Sequence, residues 1–194
     1  THNKELVGMD FAEIGRMRNC HPYDAVLDIL LEEGKDMMAC FWTSRSFRDS
    51  DVDLCLSQAE CAVISDTVAT ANEGILKDHL GSLSGYGWAA RFLQYYVRDR
   101  EILSLAEGLA KLTSVPAKRL GLKDRGYLKT GFHADICVFD KVNIASNVTA
   151  KTPRRYASGI CHVLVNGQFS MRDGTRTPVN AGQVIREFEA RATS

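Results

Sequence analysis

The stretch AVISDTVATANEGILKDHLGSLSGYGWAAR, residues 62–91, decides how this chain is organised. The apolar run Cys61–Ile64 predicts a short buried strand that ends in the polar pair Ser65-Asp66. A long irregular loop follows, and an amphipathic helix begins near Trp88. A carboxylate at the carboxyl end of a strand, opening a long loop, is where α/β enzymes place their chemistry. An aspartate in this place can equally cap the following turn or helix, so both interpretations of Asp66 stay open at this point.

The composition is that of an ordinary globular protein. The 194 residues are 45% hydrophobic and 25% charged, and 24 acidic side chains balance 24 basic ones. This length suffices for one large domain. No basic run favours nucleic acid, and no apolar stretch approaches the ~20 residues that span a bilayer. We therefore expect neither nucleic acid nor a membrane as a partner.

Six cysteines are scattered along the chain, and none forms a C-x-x-C pair. Without paired spacing, a structural zinc knuckle is not expected. Four of the cysteines lie in apolar runs, as is typical of buried free thiols in a reducing compartment. These four are Cys40, Cys61, Cys137 and Cys161. The cysteines therefore predict a cytoplasmic protein.

Helical patterns dominate the first two thirds of the chain. Asp10 and Glu13 have the spacing of a capping box at the start of one helix, and Pro22 begins a second helix that Gly34 ends. Further helices are predicted over residues 51–57, 88–98, 104–111 and 114–120. Apolar runs over residues 36–42 and 61–64 have the length of strands. The order strand, helix, strand indicates a parallel α/β sheet.

The pattern changes near Lys123–Gly131, where we predict a domain boundary. Strands are predicted over Ala134–Asp140 and Gly159–Val165, and Asn166-Gly167 is a strong signal for a hairpin into a third strand over residues 168–172. A short helix is predicted over residues 181–191. The end of the chain should therefore be rich in β-structure.

The histidines and short motifs do not complete a catalytic set. Only His79 lies in the loop that follows Asp66; the other four lie at the terminus, in a helix–helix turn, or in or beside predicted strands. No H-x-H, H-E-x-x-H or G-x-S-x-G motif is present. By spacing alone, the chain holds one well-placed carboxylate.

The later part of the sequence resembles the carboxyl-terminal part of the amidohydrolase superfamily. Residues 111–126, KLTSVPAKRLGLKDRG, are similar to the family helix K-x-T-x-x-P-A-x-x-L-G-L that leads into D-R-G. Residues 131–140, GFHADICVFD, resemble the strand G-x-x-A-D-[ILV]-x-[IV]-[FL]-D, and residues 163–167, VLVNG, resemble the V-x-V-N-G strand after it.

Softer matches lie nearer the amino terminus. Tyr86-Gly87 with Arg91 and residues 96–98, YVR, resembles the D-aminoacylases (N-acyl-D-amino-acid deacylases) within this superfamily. Residues 22–34, PYDAVLDILLEEG, also look like that branch. The resemblance therefore extends over essentially the whole chain.

This resemblance implies an α/β fold built from a TIM (β/α)8 barrel followed by a small β-sandwich domain. Residues 1–125 would be the carboxyl-terminal portion of the barrel, and residues 126–194 would be the carboxyl-terminal portion of the sandwich. Family members hydrolyse amide or cyclic amide bonds with one or two divalent metals, usually zinc. The implied substrate is a small molecule, an N-acyl-D-amino acid.

The resemblance also implies roles for individual residues. Asp66 would contact the metal and act as general base toward the metal-bound water, then pass the proton to the leaving amine. Ser65, His79 and Tyr86 are predicted to contact the substrate.

Two positions depart from the family pattern. Thr67 replaces the Gly of S-D-G, and no arginine precedes Tyr86-Gly87, where the family's His-Pro-Arg is expected to hold the substrate carboxylate. Lys77 or His79 could take that role. Alternatively, the substrate could differ.

The family's H-x-H and its later metal ligands have no counterpart, and 194 residues fall short of the ~250 of a TIM barrel. We therefore expect a carboxyl-terminal piece that is inactive alone, with zinc bound only in the full-length parent. Exposed strand edges and apolar helix faces predict that this piece forms homo-oligomers.

Two other functions stay open. A non-catalytic binding or structural module of the same fold would explain Thr67 and the missing arginine. A cyclic amidase of the hydantoinase or dihydroorotase type would differ in substrate but not in chemistry.

Overall fold

The computed structural model describes residues 2–40, 42, 44, 46–77 and 84–186. The chain forms two compact units. The first unit consists of Thr1–Ser46, Thr67–Tyr86 and Val148–Arg154. The second unit consists of Phe47–Asp66, Gly87–Asn147 and Arg155–Ser194. Across the described ranges, no helix is both long and apolar enough to cross a membrane.

The first unit is built on helices α1, Phe11–Arg18, and α2, Pro22–Glu33, with a short 3-10 helix at Lys4–Leu6. The predicted capping box is confirmed, since the Glu13 amide donates to Asp10 Oδ1 at 2.7 Å and the Asp10 amide donates to Glu13 Oε2 at 2.9 Å. Pro22 occupies the first turn of α2, where its missing N–H costs nothing. The core of this unit comprises Leu6, Ile14 and Ala25.

Gly34 ends α2 with a φ of 53°, and a 3-10 helix, Gly34–Ala39, follows directly. The strand predicted over residues 36–42 is therefore wrong for the part that the structure describes. Periodicity does not separate a short apolar strand from a short helical segment. Here the end of α2 simply tightens into 3-10 turns.

The second unit begins with α3, Asp49–Ser57, and continues after the loop with α4, Trp88–Arg91. A π-helical segment, Phe92–Asp99, extends α4, so the single α-helix predicted over residues 88–98 has a widened second half. A π-helical segment is defined by its i→i+5 hydrogen bonds, which the residue pattern alone does not indicate. Helices α5, Leu105–Leu112, and α6, Ser114–Arg119, complete the helical part.

The core of the second unit is apolar and draws on α3, α4, the π-helix and the loop after β1. Its buried members are Leu56, Ala90, Phe92, Leu93, Val97, Leu103 and Ile144. Gly108 on α5 allows this packing, because a Cβ there would lie 2.5 Å from Val97 Cγ2. Any larger residue would force α5 away from the π-helix.

A small antiparallel sheet occupies the end of the second unit. It consists of β1, Ile136–Phe139; β2, Ile160–Val165; β3, Gln168–Arg172; and β4, Thr175–Arg176, paired in chain order. The predicted hairpin is confirmed, since Asn166 and Gly167 have φ of 48° and 77° in the turn between β2 and β3. The three predicted strands of this part are confirmed apart from their end residues.

Three sequence predictions need correction here. Cys61–Ile64 does not pair as a strand, and no parallel pairing occurs among the described residues. The helix predicted over residues 181–191 is not formed at residues 181–186, and the rest of it lies outside the described residues. All six cysteines are free, but none is fully buried, and Cys55 and Cys137 are exposed.

Three residues from separate motifs meet beside this sheet. Arg125 forms an ion pair with Asp135, and its Nη2 donates to Asn166 Oδ1 at 3.1 Å. The Asn166 amide donates to Asp135 Oδ1 at 2.8 Å. Burial acts to raise the pKa of Asp135, but the Asn166 amide and the Arg125 guanidinium outweigh it, and this pKa lies below its usual value. The Arg125–Asp135–Asn166 cluster thus joins the D-R-G turn to the hairpin.

We expect Asp135→Asn to lower the free energy of unfolding by about 1–2 kcal/mol at neutral pH, because it removes the charge that Arg125 and Asn166 stabilise. A lowered folded-state pKa means that this stability is present above the unfolded pKa of about 4 and is lost as pH falls below it. Urea unfolding at pH 7 and pH 3 measures both effects. The matched control is Asp173→Asn, whose side chain is 80% exposed. An equal loss at both pH values would contradict the role of this charge.

Candidate active site

Asp66 lies at the end of an extended segment that runs from Cys61. Its side chain is exposed, and within the described residues no hydrogen bond or ion pair engages its carboxylate. No backbone N–H of the described residues donates to the Asp66 carboxylate, as a cap of the following turn would require. Ser65 is half-buried. Among the described residues the Asp66 carboxylate thus has no partner, and such a carboxylate is available to accept a proton.

Contacts from α5 and α6, not a sheet, hold the segment before Asp66. The Val63 amide donates to the Lys111 carbonyl at 3.0 Å. The Lys111 ammonium donates to the Gln58 carbonyl at 2.5 Å and to the Cys61 carbonyl at 3.3 Å. Lys111 belongs to the K-x-T motif, but the motif does not indicate this contact, because its partners lie some fifty residues earlier in the chain.

Thr67 is the first residue of the loop that follows Asp66, and its hydroxyl has an unfavourable environment. Oγ1 is buried and has no hydrogen-bond partner in the described part of the chain. A buried hydroxyl without a partner costs about 1–3 kcal/mol. The residue that departs from the family's S-D-G pattern is therefore one that the local packing does not satisfy.

The loop itself is organised by Tyr86 and Arg154, which belong to the first unit. The Tyr86 hydroxyl donates to the Thr70 carbonyl, and Arg154 Nε donates to the Tyr86 hydroxyl at 3.3 Å. Arg154 Nη2 also donates to the Ala71 carbonyl at 2.7 Å, and its Nη1 donates to the Lys77 carbonyl. Sequence reasoning missed Arg154, because no motif includes it and its partners lie about eighty residues away.

These contacts change the acidity of the tyrosine. Burial acts to raise the pKa of Tyr86, but hydrogen bonds with Thr70 and Arg154 and the positive charge of Arg154 outweigh it. The pKa of the phenol therefore lies below its usual value.

The structure describes some of the predicted site residues, and others lie outside the described ranges. Asp66 is the last residue of the range Phe47–Asp66 in the second unit, whereas Tyr86 belongs to the first unit. Lys77, considered as a substitute for the missing arginine, is exposed. His79, the other candidate, lies outside the described residues.

The described residues do not fit a metal ion by themselves. No group of three or more His, Cys, Asp or Glu side chains comes together within the ranges that the structure covers. A catalytic zinc ion takes three protein ligands and a water, so Asp66 alone is not a metal site.

Comparison with known proteins decides the family. Residues 68–171, more than half of the chain, match the Amidohydrolase family. The chain belongs to this family. Curated relatives from Alcaligenes xylosoxydans xylosoxydans include a D-aminoacylase, 29% identical over 186 residues, which is 96% of this chain and 35% of that protein. An N-acyl-D-glutamate deacylase is 37% identical over 110 residues, which is 57% of this chain and 21% of that protein. This amidohydrolase chain therefore spans about a fifth to a third of the length of these relatives.

Solved structures give the same result. A crystal structure of D-aminoacylase superposes with a TM-score of 0.67 and 27% identity, covering 93% of this chain and 35% of that one. An N-acyl-D-glutamate deacylase from Bordetella bronchiseptica, complexed with zinc and a phosphonate inhibitor, has a TM-score of 0.61 and 24% identity over 86% of this chain and 33% of that one, which shows the fold alone. The predicted resemblance to the D-aminoacylases is confirmed, and the α/β chain resembles their structures.

We expect Thr67→Val to leave the free energy of unfolding unchanged or to raise it by up to about 1 kcal/mol, because a methyl group replaces a buried hydroxyl without a partner. Thermal unfolding by circular dichroism measures the change. Thr70→Val serves as the contrast, since the Thr70 hydroxyl lies within hydrogen-bond distance of Tyr86 and Arg154. A clear loss of stability in Thr67→Val would show that the Thr67 hydroxyl has a partner.

We expect Arg154→Met to raise the pKa of Tyr86 toward its usual value, because the substitution removes a hydrogen bond and a positive charge that stabilise the phenolate. Titration of the Tyr86 ring carbon by NMR measures this shift. Arg155→Met is the control, since Arg155 is exposed and adjacent in sequence. An unchanged Tyr86 titration in Arg154→Met would contradict the contact.

Proposed function

We propose that this chain is part of a zinc-dependent amidohydrolase that cleaves the amide bond of N-acyl-D-amino acids, with Asp66 as general base. The exposed carboxylate of Asp66, without a cap or ion-pair partner in the described structure, carries this proposal. Similarity to a D-aminoacylase over 96% of the chain supports the substrate class.

The chemistry that we assign to Asp66 is a proton transfer in two steps. As water attacks the amide carbonyl, the carboxylate accepts a proton from it; the same proton then goes to the leaving amine. A metal ion, when bound, supplies the polarisation that makes water acidic near neutral pH. Because the described residues do not form a metal site, its ligands would come from outside them.

The domain assignment remains a proposal as well. We propose that residues 1–125 belong to the barrel and residues 126–194 to the small β-sandwich domain. The antiparallel sheet β1–β4, which lies wholly after residue 125, supports this division.

We assign substrate contacts to Ser65, His79 and Tyr86, and we assign the missing arginine's role to Lys77 or His79. The contact of Arg154 with Tyr86 would orient that phenol.

Self-association and cytoplasmic location also stay proposals. Tyr23, Leu27 and Leu31 follow one another at four-residue intervals on α2 and are 77%, 59% and 79% exposed. Such an apolar stripe on a helix favours contact with another protein surface. It supports the prediction that the chain forms homo-oligomers.

We expect the 194-residue chain alone to show no hydrolysis of N-acetyl-D-amino acids with added zinc, because a general base without an activated water does not attack an amide. In the longer protein that carries this chain, Asp66→Asn should lower kcat by about 10²–10⁴. Asp36→Asn, at an exposed aspartate of the first unit, should leave kcat unchanged. Near-normal kcat in Asp66→Asn would remove Asp66 from the mechanism.

A second candidate is a non-catalytic module of the same fold. The lack of a three-donor cluster among the described residues favours it, as does Thr67 in place of Gly. Calorimetry with zinc on the longer protein separates the two, since a module without ligands takes up no tightly bound metal. The deacylase names of the relatives favour linear amides over the cyclic amides of a hydantoinase or dihydroorotase.

A further inference from the structure

The place of the Asp66 carboxylate is set by backbone alone. No hydrogen bond or ion pair reaches this side chain within the described structure. Among the described residues, the segment that carries Asp66 does not pair with a strand. In α/β enzymes, by contrast, catalytic groups commonly lie at the ends of paired strands. The contacts that hold the segment Gln58–Val63 therefore help to position Asp66, which follows Val63 by three residues.

Lys111 fixes this segment from two sides. Its ammonium donates to the carbonyls of Gln58 and Cys61, at 2.5 and 3.3 Å, while its own carbonyl accepts the Val63 amide at 3.0 Å. The residue is only 4% exposed, on the last turn of α5. A buried ammonium is tolerated only where polar partners replace water, and here those partners are carbonyls of the Asp66 segment.

The end of α5 makes this arrangement favourable. The last carbonyls of a helix lack partners within the helix, and the Val63 amide satisfies the one on Lys111. The Thr113 hydroxyl satisfies another, on Leu109, at 2.7 Å. A cation in the last turn also interacts favourably with the helix dipole.

Arg119 adds a second support from α6. Its Nε and Nη2 donate to the Glu60 carbonyl at 3.1 and 2.6 Å. Three carbonyls of the segment, on Gln58, Glu60 and Cys61, are thus bound by cations from two successive helices. These cations replace the ladder of hydrogen bonds that a neighbouring strand would supply.

We propose that Lys111, assisted by Arg119, is a positioning residue that holds Asp66 in place through the segment Gln58–Val63. The effect of this positioning on catalysis rests on the proposed function of Asp66 as general base, because the rate depends on where the base lies. Neither cation touches Asp66 itself, so both act through the backbone. A small displacement of a catalytic group costs rate while leaving substrate binding largely intact.

The test compares Lys111→Met, Arg119→Gln and the exposed control Lys118→Met. In the 194-residue chain, Lys111→Met should speed amide hydrogen exchange of Val63 about tenfold, as expected for loss of hydrogen bonds to a charged group. It should also lower the heteronuclear NOE at Ser65 and Asp66. If Lys111→Met does not fold, Arg119→Gln provides the test, because it is a milder change at an exposed residue. It should also speed amide exchange of Val63 and lower the heteronuclear NOE at Ser65 and Asp66. Lys118→Met should match the wild type.

In the longer active protein, Lys111→Met should lower kcat about tenfold with KM within about twofold, because the base is displaced and not removed. Lys111→Arg, which keeps the cation, should recover part of that loss. Unchanged order at Ser65 and Asp66 in both variants, or lost order with an unchanged kcat, would overturn the proposal. Normal kcat in Asp66→Asn together with lost order in Lys111→Met would overturn the proposed function and leave the anchoring of the segment supported.

Discussion

The buried ammonium of Lys111 is the contact on which the candidate site depends. It bonds two carbonyls of the segment that leads to Asp66, and its own carbonyl accepts an amide from the same segment. An isolated buried cation would be costly, so this lysine and its carbonyl partners must stay together once the helix packs. The exposed Asp66 carboxylate, which has no partner among the described residues, is in our proposal positioned by a residue that does not contact it.

The family's tail motifs acquire a structural explanation from the same contacts. Lys111 comes from the helix motif, and the D-R-G, A-D and N-G motifs contribute Arg125, Asp135 and Asn166 to a single hydrogen-bonded cluster. Gly126 has a φ of 84°, and a Cβ there would lie 2.6 Å from the Ala117 Cβ, so the glycine of D-R-G lets this turn approach α6 closely. These motifs therefore encode packing and backbone anchoring, whereas the chemistry is assigned to Asp66.

The loop after Asp66 is held by different contacts from the segment before it. In the first unit, Arg154 bonds carbonyls and the Tyr86 hydroxyl of the loop after Asp66, which gives order to residues without regular structure. Thr67, at the start of this loop, leaves a buried hydroxyl unsatisfied within the described residues. Within the described residues, the Arg154 guanidinium thus helps to hold this loop.

The sequence by itself determined the helix caps, the Asn166-Gly167 hairpin, the β-rich end and the amidohydrolase resemblance, because each depends on residues close together in the chain. Asp10 and Glu13 have the three-residue spacing of a capping box, and Asn-Gly is strongly preferred in a two-residue hairpin turn with positive φ. The tertiary structure alone decided that Cys61–Ile64 is anchored by cations and not by a sheet, and that Arg154 binds a loop some eighty residues away. It also shows no backbone N–H of the described residues bound to the Asp66 carboxylate. Those outcomes depend on which distant groups satisfy the hydrogen bonds of a backbone segment. Residue spacing along the chain does not indicate which groups these are.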